Sequence, residues 1–195
     1  MTSGSTRRDT IADAAIDVFI RYGFRKTSMD DLARAADISR QGLYLHFKTK
    51  DELFVAAVDR MVTGVCAATG AAFARDDLDP PGRILAAFEA CQGPSVGAAV
   101  HGNFEELLNT AATLRCSLAE RIERGLVDGV EQVLADSGVA DRWRAAGLSA
   151  RDLAEHLHAA SFGLKHKLSS VDEYRNGMRT AVTIVFAGGE TLARE

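Results

Sequence analysis

Apolar residues recur along this chain with a period of 3.6, and polar or glycine punctuation separates the repeats into helices. Ile11, Ala14, Ala15, Val18, Phe19 and Tyr22 fall on one helical face. Thr6 and Asp9 have capping-box spacing at the start of that helix, and Gly23 is placed to end it. Ser28 and Asp31 repeat the box before a short helix whose inner face holds Leu32 and Ala36. Asp37 falls in the turn that follows, at a point where a left-handed backbone suits Asp better than most residues. Ser39 caps a second short helix with Leu43 and Phe47 facing inward. Thr49 and Glu52 open a long helix from Lys50 to about Arg75, carrying Leu53, Phe54, Ala57, Val58, Met61, Val62 and Val65 on one side.

The segment Arg75-Asp76-Asp77-Leu78-Asp79-Pro80-Pro81-Gly82 is the clearest break. Helical periodicity resumes at Arg83, and Gly93-Pro94-Ser95-Val96-Gly97 is expected to interrupt it. A helix with Phe104, Leu107 and Leu108 follows. A longer one then runs from about Thr113 to Ser137, striped by Leu114, Leu118, Ile122, Leu126, Val130, Val133 and Leu134, and Gly138 stops it. Trp143 lies in a loop or short helix beyond. Ser149 with Asp152, and Ser170 with Glu173, cap the last two helices. Leu153, Leu157, Ala160, Leu164 and Leu168 stripe the first; Tyr174, Met178, Ala181, Val182, Val185, Phe186 and Leu192 stripe the second. No strand pattern competes. The fold class is all-α, with about nine helices.

The two short helices at 28–46 carry the informative chemistry. With Leu43 and Phe47 turned inward, Arg40, Gln41, Gly42, Tyr44, Leu45 and His46 are left on the outside or rim. Arg pairs with guanine edges, Gln with adenine edges, and Tyr and His with phosphate oxygens. The N-terminal residues of a helix lying in the major groove meet the bases, which is where Arg40 and Gln41 fall. Taken alone, the same pattern also describes two surface helices of an ordinary bundle.

The full string is more specific. Thr27-Ser28-Met29, Leu32-Ala33-x-x-Ala36, Ile38-Ser39, Leu43-Tyr44-x-His46-Phe47 and Lys50-x-x-Leu53 together resemble the N-terminal helix-turn-helix of the TetR family of transcriptional repressors. Two positions depart from the usual pattern: Asp37 stands where Gly is common, and Gly42 where a small hydroxyl residue is common. The resemblance implies a three-helix DNA-binding domain over residues 1–50, with a recognition helix at about 39–46. It implies a connecting helix over 51–75 and a helical ligand-binding and dimerisation domain over 76–195. On this basis Thr27, Ser28, Arg40, Gln41, Gly42, Tyr44, His46, Lys48 and Lys50 are the expected DNA-binding residues. The expected partners are double-stranded operator DNA, a small-molecule effector and a second copy of the chain.

Charge agrees with this division. Residues 1–50 hold nine Lys/Arg against six Asp, a net of +3, and the whole-chain net of −4 leaves −7 for the remainder. A mildly basic head on an acidic body suits a domain that meets phosphate joined to one that does not. Arg25 and Lys26 fit either phosphate contacts or a solvated charge cluster.

In the body, the break between helices is where a small-molecule pocket would form. Phe88, Cys91, Val100, Phe104, Leu108 and Phe162 are its candidate lining, set against the plainer reading that they fill the core. Their apolar character suggests a hydrophobic or aromatic effector. Leu153, Leu157, Ala160, Leu164, Met178, Val182, Val185 and Phe186 are the expected dimer interface, a four-helix bundle of two helices from each copy. The competing reading is a monomer that buries both stripes itself.

Other chemistry finds little support. Cys66, Cys91 and Cys116 are widely spaced and odd in number, which argues for a reducing cytoplasm. No apolar run is expected to approach a membrane span, and Met1–Thr6 has no signal-peptide core. His156 and His158 point to different sides of a helix, so no metal site is expected. Glu105-Glu106 reads as a solvated helix face, and no nucleophile–base pair or phosphate loop is present, so neither an enzyme nor a cofactor is expected. The alternative is a helical small-molecule-binding protein or enzyme with a vestigial DNA-binding head.

Overall fold

The structure, a computed structural model, describes residues 6–98, 107, 109–111, 113, 118–168 and 170–188, without the side chains of 93–98 and 118–119. The described elements are all helical: α1 (Arg7–Tyr22), α2 (Met29–Ala35), α3 (Arg40–His46), α4 (Lys50–Phe73), α5 (Pro80–Ala98), α6 (Leu118–Asp136), a 3-10 helix (Val139–Ala146), α7 (Ala150–Lys167) and α8 (Val171–Ala187). The chain divides into two compact units. The first is Met1–Gly64 with His101–Ala119, and the second is Val65–Val100 with Glu120–Glu195. The division therefore falls inside α4.

In the first unit, α1 to α3 and the first half of α4 enclose a small core. Ile11, Ala15 and Phe19 of α1, Leu32 of α2, Leu43 of α3, and Leu53, Phe54 and Ala57 of α4 are fully buried. Burying one such large side chain is worth about 1.5–3 kcal/mol, so this cluster outweighs any single ion pair on the surface. Phe24, in the α1–α2 link, sits against Phe19 and Phe54 with ring centroids 5.8 and 4.9 Å away. Tyr22 departs from the expected stripe: it is 51% exposed. It lies on the last turn of α1, where Gly23 turns the chain away with φ 83°.

The capping boxes at Thr6–Asp9, Ser28–Asp31 and Ser149–Asp152 are all complete, with the serine or threonine oxygen taking the N3 amide and the aspartate returning to the cap amide. The box at Thr49–Glu52 is only half made. The Glu52 amide donates to Thr49 Oγ1 at 3.1 Å, but the Glu52 carboxylate accepts from the Lys48 amide at 2.9 Å instead.

Two expectations about α5 fail. The helix starts at Pro80, not Arg83, because Asp79 Oδ1 takes the Gly82 amide at 2.8 Å and the prolines occupy first-turn positions whose amides need no partner. It also runs through Pro94 to Ala98. Gly93 has no Cβ to meet the proline ring, which removes part of the clash that usually ends a helix before proline.

The second unit packs α5, α6, α7 and α8 around Ile84, Phe88, Leu126, Val130, Leu134, Leu157 and Tyr174. The Trp143 indole N–H, on the 3-10 helix, donates to the Val185 carbonyl at 3.0 Å. This core corrects the expected dimer stripe. Leu153, Leu157, Met178, Val182 and Val185 are 0–4% exposed within the single chain. Leu164 and Phe186 are half-buried against the same cluster, and Ala160 is half-buried. The periodicity marked the face of each helix that meets the chain's own core. The outward faces of α7 and α8 carry Ala159, Phe162, Gly163, Thr180, Thr183 and Ile184 instead.

One helix also overturns the expectation about apolar runs. An 18-residue window of α4 reaches a mean hydropathy of 1.4, enough by length and composition to cross a membrane, although a third of it is buried. Its Leu53, Phe54, Ala57, Val58 and Val62 serve the head core.

Candidate nucleic-acid interface

The α2–α3 pair is built on a Schellman turn. The Ile38 amide donates to the Ala33 carbonyl at 3.0 Å and the Asp37 amide to Arg34 at 3.2 Å, the paired 6→1 and 5→2 bonds of that motif. The motif needs a left-handed residue, and Asp37 takes it with φ 51°. Ala33, 3% exposed, lies beneath the turn. Ser39 then caps α3, its Oγ accepting the Gly42 amide at 2.9 Å.

Fixed this way, α3 presents a polar face. Leu43 and Phe47 are fully buried, while Gln41, Tyr44, Leu45 and Lys48 are exposed. The Arg40 guanidinium lies 5.8 Å from the Tyr44 ring and 3.0 Å from Asp30 Oδ2 on α2. Hydrogen bonding to Tyr44, followed by the Asp30 charge, holds Arg40 in its charged form more firmly than usual. Gly42 is half-buried, and a Cβ there would meet Ser39 Oγ at 3.2 Å. Arg40, Gln41 and Tyr44 thus share one accessible surface, as the sequence predicted.

Four other expected DNA-binding residues are engaged inside the head. Thr27 is buried, and its hydroxyl donates to the Gly23 carbonyl at 2.7 Å. Ser28 is exposed but committed to the α2 cap, with its Oγ 2.6 Å from Asp31 Oδ2. That bond and the Ser28 amide hold the Asp31 carboxyl below its usual range. Lys50 Nζ donates to the carbonyls of Phe24 and Thr27 at 2.9 and 3.0 Å and lies 4.3 Å from the Phe24 ring. His46 is half-buried, and its carbonyl accepts from Arg8.

Arg8 and Glu52 make a contact across the head that sequence reasoning missed. Arg8 also donates to Glu52 Oε1 at 2.7 Å and stacks 4.0 Å over Phe47. These partners lie 38 or more positions away, so no local spacing announces them.

Residues 11–57, which contain Arg40, Gln41, Tyr44 and Glu52 but not Arg8, match the bacterial regulatory proteins of the tetR family. By this head, the chain is similar to the TetR family. Two relatives match part of this chain. The HTH-type transcriptional activator FasR of Mycolicibacterium smegmatis is 36% identical over 84 residues, 43% of this chain and 38% of that protein. The HTH-type transcriptional regulator RutR of Escherichia coli is 32% identical over 76 residues, 39% of this chain and 35% of its own length. These alignments span little more than a third of the relatives. The fold likeness is longer. A transcriptional regulator from Rhodococcus superposes over 95% of this chain and 98% of its own, with TM-score 0.70 and 22% identity. The reduced form of E. coli NemR superposes over 90% and 94%, with TM-score 0.66 and 17% identity. Those two likenesses establish the fold.

Of the candidate ligand residues of the body, three are described. Phe88 is fully buried and Cys91 is 7% exposed in the same core cluster, where burial pushes the Cys91 thiol up to about 11. Phe162 is 55% exposed, with its ring 4.5 Å from that of His166. Val100, Phe104 and Leu108 lie outside the described residues. Among the described residues, no three His, Cys, Asp or Glu side chains gather as metal ligands.

Proposed function

We propose that this chain is a DNA-binding transcriptional regulator that acts as a homodimer on a palindromic operator. The observation that carries the reading is the exposed Arg40–Gln41–Tyr44 face on a helix held by a Schellman turn, within the segment that matches the family. Arg40 and Gln41 read base edges, Tyr44 and Lys48 contact the backbone, and the buried Leu43 and Phe47 fix the angle of presentation. The outward faces of α7 and α8, with Phe162 and Ile184 exposed at 55% and 60%, supply the contact between copies. A two-fold dimer then spaces two heads by ~34–36 Å, one turn of DNA.

The body responds to a small apolar effector. In this scheme the unliganded dimer holds its heads at operator spacing, and the effector favours a state in which they are misplaced. Affinity falls by the difference in effector binding to the two states. Repression is the sign we assign. One relative is named an activator and another, IcaR of Staphylococcus epidermidis, a negative regulator, so a reporter assay settles the sign. We assign no catalytic role and place the protein in the cytoplasm with its DNA.

The test is selection of duplexes from random sequence by the purified full chain, followed by titration against a scrambled control. Recovery of a palindrome with a specificity ratio of about 10³ or more supports the reading. Equal, salt-erased binding to every duplex contradicts it.

A further inference from the structure

Arg8 reaches three elements of the head at once. From the first turn of α1 its guanidinium donates to the carbonyl of His46, the last residue of α3, and to Glu52 Oε1 on α4 at 2.7 Å. The same group lies 4.0 Å from the Phe47 ring, which is fully buried at the C-cap of α3. The second Glu52 oxygen accepts the Lys48 amide at 2.9 Å. The α3–α4 link is therefore gripped at both ends, at the His46 carbonyl and the Lys48 amide, by one ion pair. Arg8 and Glu52 remain 47% and 39% exposed, so the pair adds little to stability. Its placement matters more than its strength, because it joins the end of the base-reading helix to the start of the helix that continues into the body.

We propose that Arg8, acting through Glu52, is a positioning residue for DNA binding: the pair sets the angle of α3 on α4, and the Arg8 charge is spent inside the head, not on a phosphate. This rests on the DNA-binding reading above. The planar guanidinium fork is what allows one cation to hold a carbonyl and a carboxylate together.

Two variants separate this role from simple charge. Glu52→Gln removes a negative charge from a DNA-binding head, so electrostatics alone predicts tighter binding. The positioning role predicts weaker binding, because Gln offers one acceptor oxygen where Arg8 and the Lys48 amide use two. Arg8→Gln removes a positive charge. If Arg8 met a phosphate, the slope of log K against log salt would fall by about 0.9 for each phosphate no longer neutralised.

The experiment is a titration of the full-length wild type, Arg8→Gln, Arg8→Lys, Glu52→Gln and the double Gln variant. The probe is the duplex that the wild type selects from random sequence, used at several salt concentrations and well below every variant's thermal midpoint. The expected result is an affinity loss of roughly tenfold for each single Gln variant, no further loss in the double, and an unchanged salt slope. Arg8→Lys is expected to bind more like Arg8→Gln than like the wild type. A reduced slope for Arg8→Gln, or tighter binding by Glu52→Gln, overturns the proposal. So does an unchanged affinity in the single Gln variants under these conditions, which would make the pair at most stabilising. If the wild type itself selects no duplex, the DNA-binding reading falls and the positioning role falls with it; a defect confined to the variants strikes only the second.

Discussion

Asp30 Oδ2 stands 3.0 Å from the Arg40 guanidinium, so the residue proposed to read a base is already held by a carboxylate of the neighbouring helix. DNA must draw Arg40 away from Asp30 or accept both. Asp30→Asn is expected to raise affinity for all duplexes several-fold at low salt and to lower the ratio of specific to non-specific binding, since a freed cation favours any phosphate. Arg40→Ala is expected to weaken specific binding roughly 5- to 100-fold and to relax preference at one base pair. Titration of both variants against selected and scrambled duplexes checks the pair.

The left-handed Asp37 carries the turn. Asp37→Val is expected to cost about 1–2 kcal/mol, because a β-branched residue resists φ 51°. Asp37→Gly should stay within about 1 kcal/mol of the wild type. Chemical denaturation of the three proteins measures this directly.

Thr27 and Lys50 act inside the head. Thr27→Val leaves the Gly23 carbonyl without its buried partner and is expected to cost about 1–2 kcal/mol. Lys50→Met removes the donor shared by Phe24 and Thr27 and is expected to destabilise the fold by about 1–3 kcal/mol. Neither substitution should reduce the salt slope of DNA binding.

Two glycines of α6 predict opposite signs. A Cβ at Gly125 meets nothing within 4 Å, so Gly125→Ala is expected to stabilise by up to about 1 kcal/mol through helix propensity. A Cβ at Gly129 would fall 2.2 Å from Phe73 Cε2. Gly129→Ala is therefore expected to destabilise by about 1–3 kcal/mol. Thermal midpoints should move in opposite directions.

The capping carboxylates set the acid limb of stability. Asp31 and Asp152 are held below the ordinary 3.8 chiefly by their serine hydroxyls, and Asp9 chiefly by the Thr6 amide. A depressed carboxylate lends stability above its unfolded value and loses it as pH falls through the folded one. Stability should be level near neutrality and decline below about pH 4. Ser28→Ala and Ser149→Ala should each flatten that decline in denaturation curves measured against pH.

What could be read from the sequence was local. Caps at Thr6, Ser28, Ser39, Ser149 and Ser170, the αL turn at Asp37 and the inward Leu43 and Phe47 all follow from residues within four positions of one another. What escaped was non-local or ambiguous. The Arg8–Glu52 pair spans 44 positions. The stripes on α7 and α8 mark a buried face equally well whether the neighbour is the same chain or another, and here the neighbour is the same chain. Gly93-Pro94 has the composition of a break, yet the helix passes through it.

The most direct test of α3 as the reading helix is titration of the full chain and its Arg40→Ala/Tyr44→Ala variant against the DNA upstream of its own gene and a duplex selected from random sequence. The wild type is expected to give a palindromic footprint, at a specificity ratio of about 10³ or more, that the variant loses while its helical content and thermal midpoint stay unchanged. A variant that binds the selected duplex as tightly as the wild type would contradict the assignment of α3 as the reading helix.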